Sequence, residues 1–396
     1  MSILFINTMT DTFTPTNSFS TGTIVWELCQ AAKRDGILPW VISSDSSHAP
    51  HDWKNLILVP APRKPRGWLA TKLNNQFLHR TGWVFPGQAQ WCWRVVAAIK
   101  RHGLQHLPMV LTNDIELAVY LRRHFPQAFI VHQAQNQNGA KKRHHDAFAP
   151  AVNVACAVSD FCREWNEQYY GIRPGAMHTW LNGVDSQAYH PAAAPPAGLP
   201  VINVHSRLDW CKGVDVLLKA ALLMARKTKQ FRIQLVGRRS TWQSPPDWFD
   251  NEVESLCAQA AAAGISVERT GWTPRADLPD VLRQAHIHVT PSRWPEPFGL
   301  TTLEGMASGL ATVASATGGS PQVVGDAGLL FENENAAALA EHLTRLICDE
   351  ALRMQYGRKA RQRAEELTWD KSWQRLKSLI PLLAEKLAAA FAGARL

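Results

Sequence analysis

Nowhere does this 396-residue chain approach eighteen uninterrupted apolar residues, so no membrane span is read from it. Its first stretch, MSILFINTMTDTFTP, lacks a basic run and an A-x-A site, and reads as a buried first strand rather than a signal peptide. The seven cysteines, at 29, 92, 156, 162, 211, 257 and 348, include no C-x-x-C pair. Their odd number and spacing argue against a zinc site and fit reduced thiols in a cytosolic protein. No Asp-x-Asp or His/carboxylate cluster offers a metal site, so neither metal nor cofactor is expected.

One more absence is local. From Trp53 to Asn113 there is no carboxylate, yet the stretch holds Lys54, Arg63, Lys64, Arg66, Lys72, Arg80, Arg94, Lys100 and Arg101. Trp53, Trp68, Trp83, Trp91 and Trp93 are interleaved with them. Much of the net charge of +9 therefore sits in one place. Such a pattern suits an anionic membrane surface or a polyanion. It is equally the pattern of a solvated basic face whose tryptophans are core.

What is present is alternation. ILFIN, LPWVISS, PMVLTND, AFIVHQ and VNVACAVSD read as strands, with helical patterns such as TIVWELCQAAKRDG and FCREWNEQYYG between them. Before the first of these helices, Ser20, Thr21 and Gly22 read as a loop. The Pro/Ala-rich HPAAAPPAGLP, residues 190–200, reads as a linker. Alternation then restarts at VINVHSR and runs through FRIQLVG, ISVERTG, HIHVTPS and ATVAS. Strands alternating with helices predict parallel sheets covered on both faces, with ligands at the strands' carboxyl ends. The expected division is 1–190, 191–375, and a C-terminal helix over 376–396 that crosses back to the first domain.

The most informative stretch is WPEPFGLTTLEGMASG, residues 294–309. After HIHVTPS the chain turns through Pro295, Pro297, Phe298 and Gly299 and enters a helix near Leu300. A helix N-terminus offers unpaired amides and partial positive charge, which suits phosphate. Gly299 would let backbone approach a ligand closely. Glu296 before the turn could bind sugar hydroxyls, and Glu304 in the helix could hold a ribose diol. On spacing alone, Glu296 could equally be a loop charge and Glu304 a helix-dipole partner.

The stretch EPFGLTTLE resembles the E-x7-E motif of retaining glycosyltransferases of family 4. VHSRLDWCKGVDVLLKA is similar to the stretch that opens that family's C-terminal domain. CAVSDFCREW, WLNGVDSQAYHP, VERTGWTPRADLPDVLRQAHIHVTPS and GGSPQVVGDAGLLF agree in order and spacing. The resemblance covers most of 154–332, and more weakly 3–36 and 128–139. It implies the GT-B fold, two Rossmann-like α/β domains facing a central interdomain cleft, and transfer of a sugar from a UDP- or GDP-sugar with retention.

Residue roles follow from the resemblance. Arg207 and Lys212 match the basic pair on the donor diphosphate. Glu304 matches the ribose carboxylate, and Glu296 the one at the donor sugar. Leu300 and Thr301 match positions whose amides meet the phosphates. Gly22 resembles the N-domain phosphate loop, although Phe19-Ser20 stands where many members have Gly-Gly. His132 matches a histidine beside the donor sugar.

The remaining polar residues read differently. His286 and His288 read as packing, and His144-His145 as a solvated loop. Trp272 fits base stacking or packing, and Gln322 stands where many relatives have Glu. The family's habits suggest an acceptor among cell-envelope polysaccharides, lipopolysaccharides or glycolipids, a cytoplasmic enzyme peripheral at the inner membrane face, and no nucleic acid. The alternatives are a soluble small-molecule acceptor, or a membrane- or polyanion-binding protein with a vestigial transferase site.

Overall fold

The computed structural model describes residues 1–15, 20–44, 50, 52–61, 87–137, 147–170, 172–239 and 248–381. The chain divides into two compact units: 1–181 together with the described residues from Trp369 onward, and Asn182–Thr368.

The first unit is built on seven parallel strands: β1 Ser2–Ile6, β2 Leu38–Ser44, β3 Leu56–Val59, β4 Met109–Thr112, β5 Ile130–Ala134, β6 Val154–Ala157 and β7 His178–Thr179. Their order is β3-β2-β1-β4-β5-β6-β7. The continuous burial of β4 and β5 is what both-face coverage by helices requires. The doubly wound order reverses between β1 and β4, and a crevice at the strands' carboxyl ends follows from that reversal.

The second unit repeats the plan with β8 Val201–His205, β9 Arg232–Val236, β10 Ser266–Gly271, β11 Ile287–Thr290, β12 Ala311–Ser315 and β13 Leu329–Phe331. All are parallel, in the order β10-β9-β8-β11-β12-β13. Its switch point lies between β8 and β11, where Ile202 pairs with Ile287 and Asn203 with His288.

The boundaries differ from those expected at 190/191 and 375/376. The stretch 190–200 belongs to the second unit. Its neighbourhood is held there by Arg361, which donates to the carbonyls of Ser186 and Tyr189, and by His286, whose Nε2 donates to Pro196. The chain returns to the first unit at Trp369, not 376. The helix Trp369–Leu379 carries Trp373 and Lys377, which donate to Asp35 at 2.8 and 2.7 Å, and Ser372, which accepts from the Trp180 indole at 2.9 Å. The final segment 382–396 lies outside the described residues.

Gly22 is not in a loop. The helix begins at Ser20 and runs to Arg34, placing Gly22 in its first turn. A Cβ there would stand 2.1 Å from the Thr12 carbonyl oxygen, so close packing against backbone accounts for the glycine. In the basic stretch, Trp91 is fully buried and Trp53 packs edge-on to Phe13 at 5.0 Å, while Trp93 is exposed. The burial of Trp53 and Trp91 follows the core reading; 62–86, with Trp68 and Trp83, lies outside the described residues. Among the described residues, no helix is long and apolar enough to cross a membrane.

Candidate functional site

Four sequence-selected charges gather at the carboxyl ends of β8 and β11. Arg207 follows β8, and Lys212 closes the short 3-10 turn Trp210–Lys212. Gly213 comes next at φ 68°, and a Cβ there would meet the Pro291 carbonyl oxygen at 1.9 Å. The Lys212 turn is therefore pressed against the segment leaving β11. Cys211 reinforces this: its carbonyl accepts from the amides of Arg293 and Trp294 at 2.9 and 3.1 Å.

Lys212 Nζ reaches Glu296 Oε1 at 2.5 Å, and the Ser292 hydroxyl donates to the same oxygen at 2.6 Å. Burial alone would raise the Glu296 carboxyl. The charge and hydrogen bond of Lys212, with Ser292 and Arg207, outweigh it and hold the group below its ordinary value. Glu296 is also fixed from behind, because its carbonyl accepts from Gly319 at 2.6 Å and a Cβ on Gly318 would collide with it. Arg207 is half exposed, with Nη1 3.0 Å from Asp209.

Gly299, at φ 106°, precedes the helix Leu300–Ala307. No side chain caps that N-terminus and no carboxylate sits in its first turn, so Leu300 and Thr301 lie where an anion is favoured. Phe298 is buried. Glu304 lies further along the helix and accepts from His205 Nε2 at 2.9 Å.

Sequence reading missed Ser292, His205, and the pair Arg293–Asp215. The available signal was position: Ser292 lies four residues before Glu296, and His205 at the end of the strand that leads to Arg207. His288, read as packing, is fully buried, but it also joins a polar chain. Its Nδ1 faces Asn203 Oδ1 at 3.3 Å and its Nε2 faces the Thr290 hydroxyl at 3.2 Å. Burial, helped by nearby His205, pushes its pKa well down. His286 lies just before β11, with Nδ1 accepting from the Val201 amide. Trp272 is exposed, with the Arg238 guanidinium 5.7 Å over its ring, so core packing does not describe it. Gln322 sits on the short helix Ser320–Val324, and its carbonyl accepts from Arg363. His144-His145 lies outside the described residues.

His132 belongs to the other unit, on β5, in register with Leu111 and Ala155. It is fully buried, edge-on to Phe148 at 4.9 Å, and neither ring nitrogen has a partner among the described residues. A polar group left in this state is costly unless something else meets it. Burial pushes its pKa down to about 3. The folded state thus keeps it neutral while the unfolded chain protonates near the ordinary value of about 6.5. Its favourable contribution is full above that value and is lost as pH falls toward about 3. His132→Phe is expected to flatten the acid loss of stability by up to about 1.4 kcal/mol per pH unit below 6.5. Denaturant unfolding of both proteins at pH 7, 6 and 5 checks this, and parallel slopes would refute it.

At the end of neighbouring β4, Asn113 takes φ 55° and Asp114 caps the helix Ile115–His124 through the Leu117 amide. Burial, then the Glu116 charge, pushes the Asp114 carboxyl up to about 7.

Residues 185–363 match the family Glycosyl transferases group 1. A D-inositol 3-phosphate glycosyltransferase of Corynebacterium aurimucosum is 30% identical over 233 residues, covering 55% of this chain and 53% of its own length. An alpha-maltose-1-phosphate synthase of Mycobacterium tuberculosis is 30% identical over 248 residues, covering 55% and 60%. The chain thus spans little more than half the length of these curated relatives. Among solved structures, a glycosyltransferase of Rickettsia africae superimposes with TM-score 0.72 at 16% identity, over 97% of this chain and 99% of that one. Sucrose-phosphate synthase of Thermosynechococcus elongatus gives 0.72 at 18%, over 98% and 100%. Anabaena HepE in complex with UDP gives 0.69 at 18%, over 98% and 100%. At these identities the structures speak for the fold alone.

Proposed function

We propose that this chain, whose residues 185–363 match the group 1 glycosyl transferases and whose architecture is GT-B, moves a sugar from a nucleotide-sugar donor to an acceptor hydroxyl with retention of configuration. The observation that carries the reading is the meeting, at the β8/β11 switch point, of two cations with two differently held carboxylates. Lys212 and Arg207 supply positive charge where a departing diphosphate would develop negative charge. Leu300 and Thr301 would add amides to the same phosphates. Glu296, tied to Lys212, would meet the donor sugar, and Glu304, on the helix behind, would meet the ribose. These cations perform the charge stabilisation that the reaction needs, so the proposed mechanism calls for no metal.

Retention is consistent with how the carboxylates are held. Glu296 is occupied by Lys212 and Ser292, and Glu304 by His205, so neither is arranged as a free nucleophile of the retaining-glycosidase kind. The acceptor oxygen would attack from the face the diphosphate leaves. His132, neutral and lacking a described partner, offers the N-terminal unit a ring nitrogen for sugar hydroxyls. A UDP-sugar is the first donor to test, since HepE has been solved with UDP-glucose; GDP-sugars are the second.

For the acceptor we propose an anionic molecule bearing the attacking hydroxyl, with the carboxylate-free stretch 53–113 as its complement. The curated relatives are named for inositol 3-phosphate and maltose 1-phosphate, which favours a small phosphorylated acceptor. Envelope polysaccharide, lipopolysaccharide or glycolipid, reached from the cytoplasmic side of the membrane, shares the anionic chemistry. The burial of Trp53 and Trp91 leaves fewer tryptophans to anchor to a bilayer.

The test is release of nucleoside diphosphate on adding candidate donors with such acceptors, followed by product masses. Absence of release from every UDP- and GDP-sugar, with no binding, overturns the reading. Within it, Glu304→Ala is expected to weaken free nucleoside diphosphate binding about 10- to 100-fold, the worth of a hydrogen bond to a charged group. Glu296→Ala is expected to spare that affinity and lose sugar selectivity. Equal losses of nucleotide affinity would mean the two roles are misassigned.

A further inference from the structure

Glu304 does not stand free. His205 ends β8, and its side chain is 4% exposed; its Nε2 lies 2.9 Å from Glu304 Oε2, while Glu304 keeps 16% exposure. With a carboxylate as acceptor, Nε2 carries the hydrogen. The imidazole has little room to turn. The His288 ring lies 4.7 Å away, itself held by Asn203 and Thr290. The helix bearing Glu304 is also brought down onto this layer by a missing side chain: a Cβ on Gly305 would stand 2.4 Å from the His288 ring. One carboxylate oxygen is thereby held by a rigid donor, while the side chain as a whole stays partly exposed. A buried partner that sets the orientation of a ligand-binding group is how such sites gain geometric precision.

Resting on the reading of Glu304 as the ribose carboxylate, we infer that His205 is a positioning residue. By locking Glu304 in one rotamer, it sets the preference for ribonucleotide over 2′-deoxyribonucleotide donors. A glutamate with free side-chain torsions could reach one hydroxyl or solvent equally well. Held through one oxygen, it presents the other to the diol in a single geometry.

The amides of glutamine and asparagine separate this role from mere space-filling. A glutamine nitrogen stands where imidazole Nε2 stood, and an asparagine nitrogen stands where Nδ1 stood. The probes are UDP with 2′-deoxy-UDP, or GDP with 2′-deoxy-GDP, whichever pair the wild-type chain takes, titrated calorimetrically. The ratio of the two affinities is internal to the folded fraction, so partial unfolding of a variant does not move it. Wild type is expected to favour the ribonucleotide by about 10-fold or more. Glu304→Gln and His205→Asn should bring that ratio close to one, and His205→Gln should restore most of it.

If Glu304→Gln abolishes the preference while His205→Asn keeps it, His205 does not position the carboxylate and the inference fails alone. Loss in His205→Gln equal to that in His205→Asn also overturns it, because the donor at the Nε2 position would then not matter. If Glu304→Gln itself keeps the wild-type ratio, Glu304 is not the ribose carboxylate, and the underlying reading fails with the inference.

Discussion

Lys212→Ala is expected to lower turnover by about 10²–10³, the usual consequence of removing one group that stabilises charge developing in a transition state. The same change should destabilise the second unit, because Lys212 is also the counter-charge of Glu296. The two side chains are 18% and 12% exposed and 2.5 Å apart. Removing one partner of such a pair strands the other, at a cost near the lower end of roughly 3–5 kcal/mol.

The pH dependence follows from the lowered Glu296 pKa. The stabilisation is fully present above the unfolded carboxyl value, about 4.3, and is lost as pH falls through the lower folded value. Without Lys212, burial is the larger influence and the carboxyl rises, so the variant's Glu296 binds a proton sooner on acidification. The melting-temperature gap between wild type and Lys212→Ala should therefore be widest at pH 7 and narrow by pH 4. A gap that does not move with pH would mean that Glu296 titrates independently of Lys212. Near wild-type release of nucleoside diphosphate would remove Lys212 from the diphosphate. Arg207→Ala should show a comparable kinetic loss with little change in stability, since its guanidinium is half exposed and its partner Asp209 lies on the same loop.

Much of this site was legible before any coordinates. Arg207, Lys212, Glu296 and Glu304 stood out because charge was placed at strand ends and helix starts, and chain-local periodicity locates those ends. The less visible residues act across the fold. Ser292 meets Glu296 within one loop, but His205 meets Glu304 from a strand 99 residues earlier, and neither periodicity nor local spacing encodes that register. His288 illustrates the same limit: alternation put it on a buried face, and only the helix resting on Gly305 shows that the face carries a polar chain. The unit boundaries slipped for a related reason. Pro/Ala-rich composition marks a segment that cannot form regular structure, but it does not say which core that segment packs on. The carbonyls near 190 found Arg361 and Arg283 in the second unit. Gly22 reads as part of a phosphate loop because the chain gives no sign that Thr12 backbone lies against it.

The pair that sequence reading missed entirely should give the largest loss of stability. Arg293 binds Asp215 through both terminal guanidinium nitrogens, at 2.6 and 2.5 Å, and donates to the Trp210 carbonyl at 3.0 Å. Asp215 is fully buried and Arg293 is 8% exposed. The fork therefore ties the start of the helix Val214–Met224 and the Lys212 turn to the segment that carries Glu296. Burial would raise the Asp215 carboxyl, but the hydrogen bonds and charge of Arg293 bring it below its ordinary value. Arg293→Ala would leave half-exposed Lys219, 3.4 Å away, as the cation beside that carboxylate among the described residues. The expected cost is about 3–5 kcal/mol. For a unit of this size that corresponds to a melting temperature lower by roughly 6–20 °C. Arg293→Lys should recover part of the loss, because it keeps a charge but not the planar fork. The double change Arg293→Met with Asp215→Leu should recover more, since apolar replacement of a buried pair is often neutral. Turnover in the double variant should nevertheless stay low, because the Trp210 carbonyl keeps the Gly213 amide but loses the guanidinium that ties the Lys212 turn to the Glu296 segment. Thermal melts and turnover measured together on the three variants decide the matter. Full turnover in the double variant would show that the clamp serves folding alone, and an unchanged melt with full turnover in Arg293→Ala would show that it serves neither.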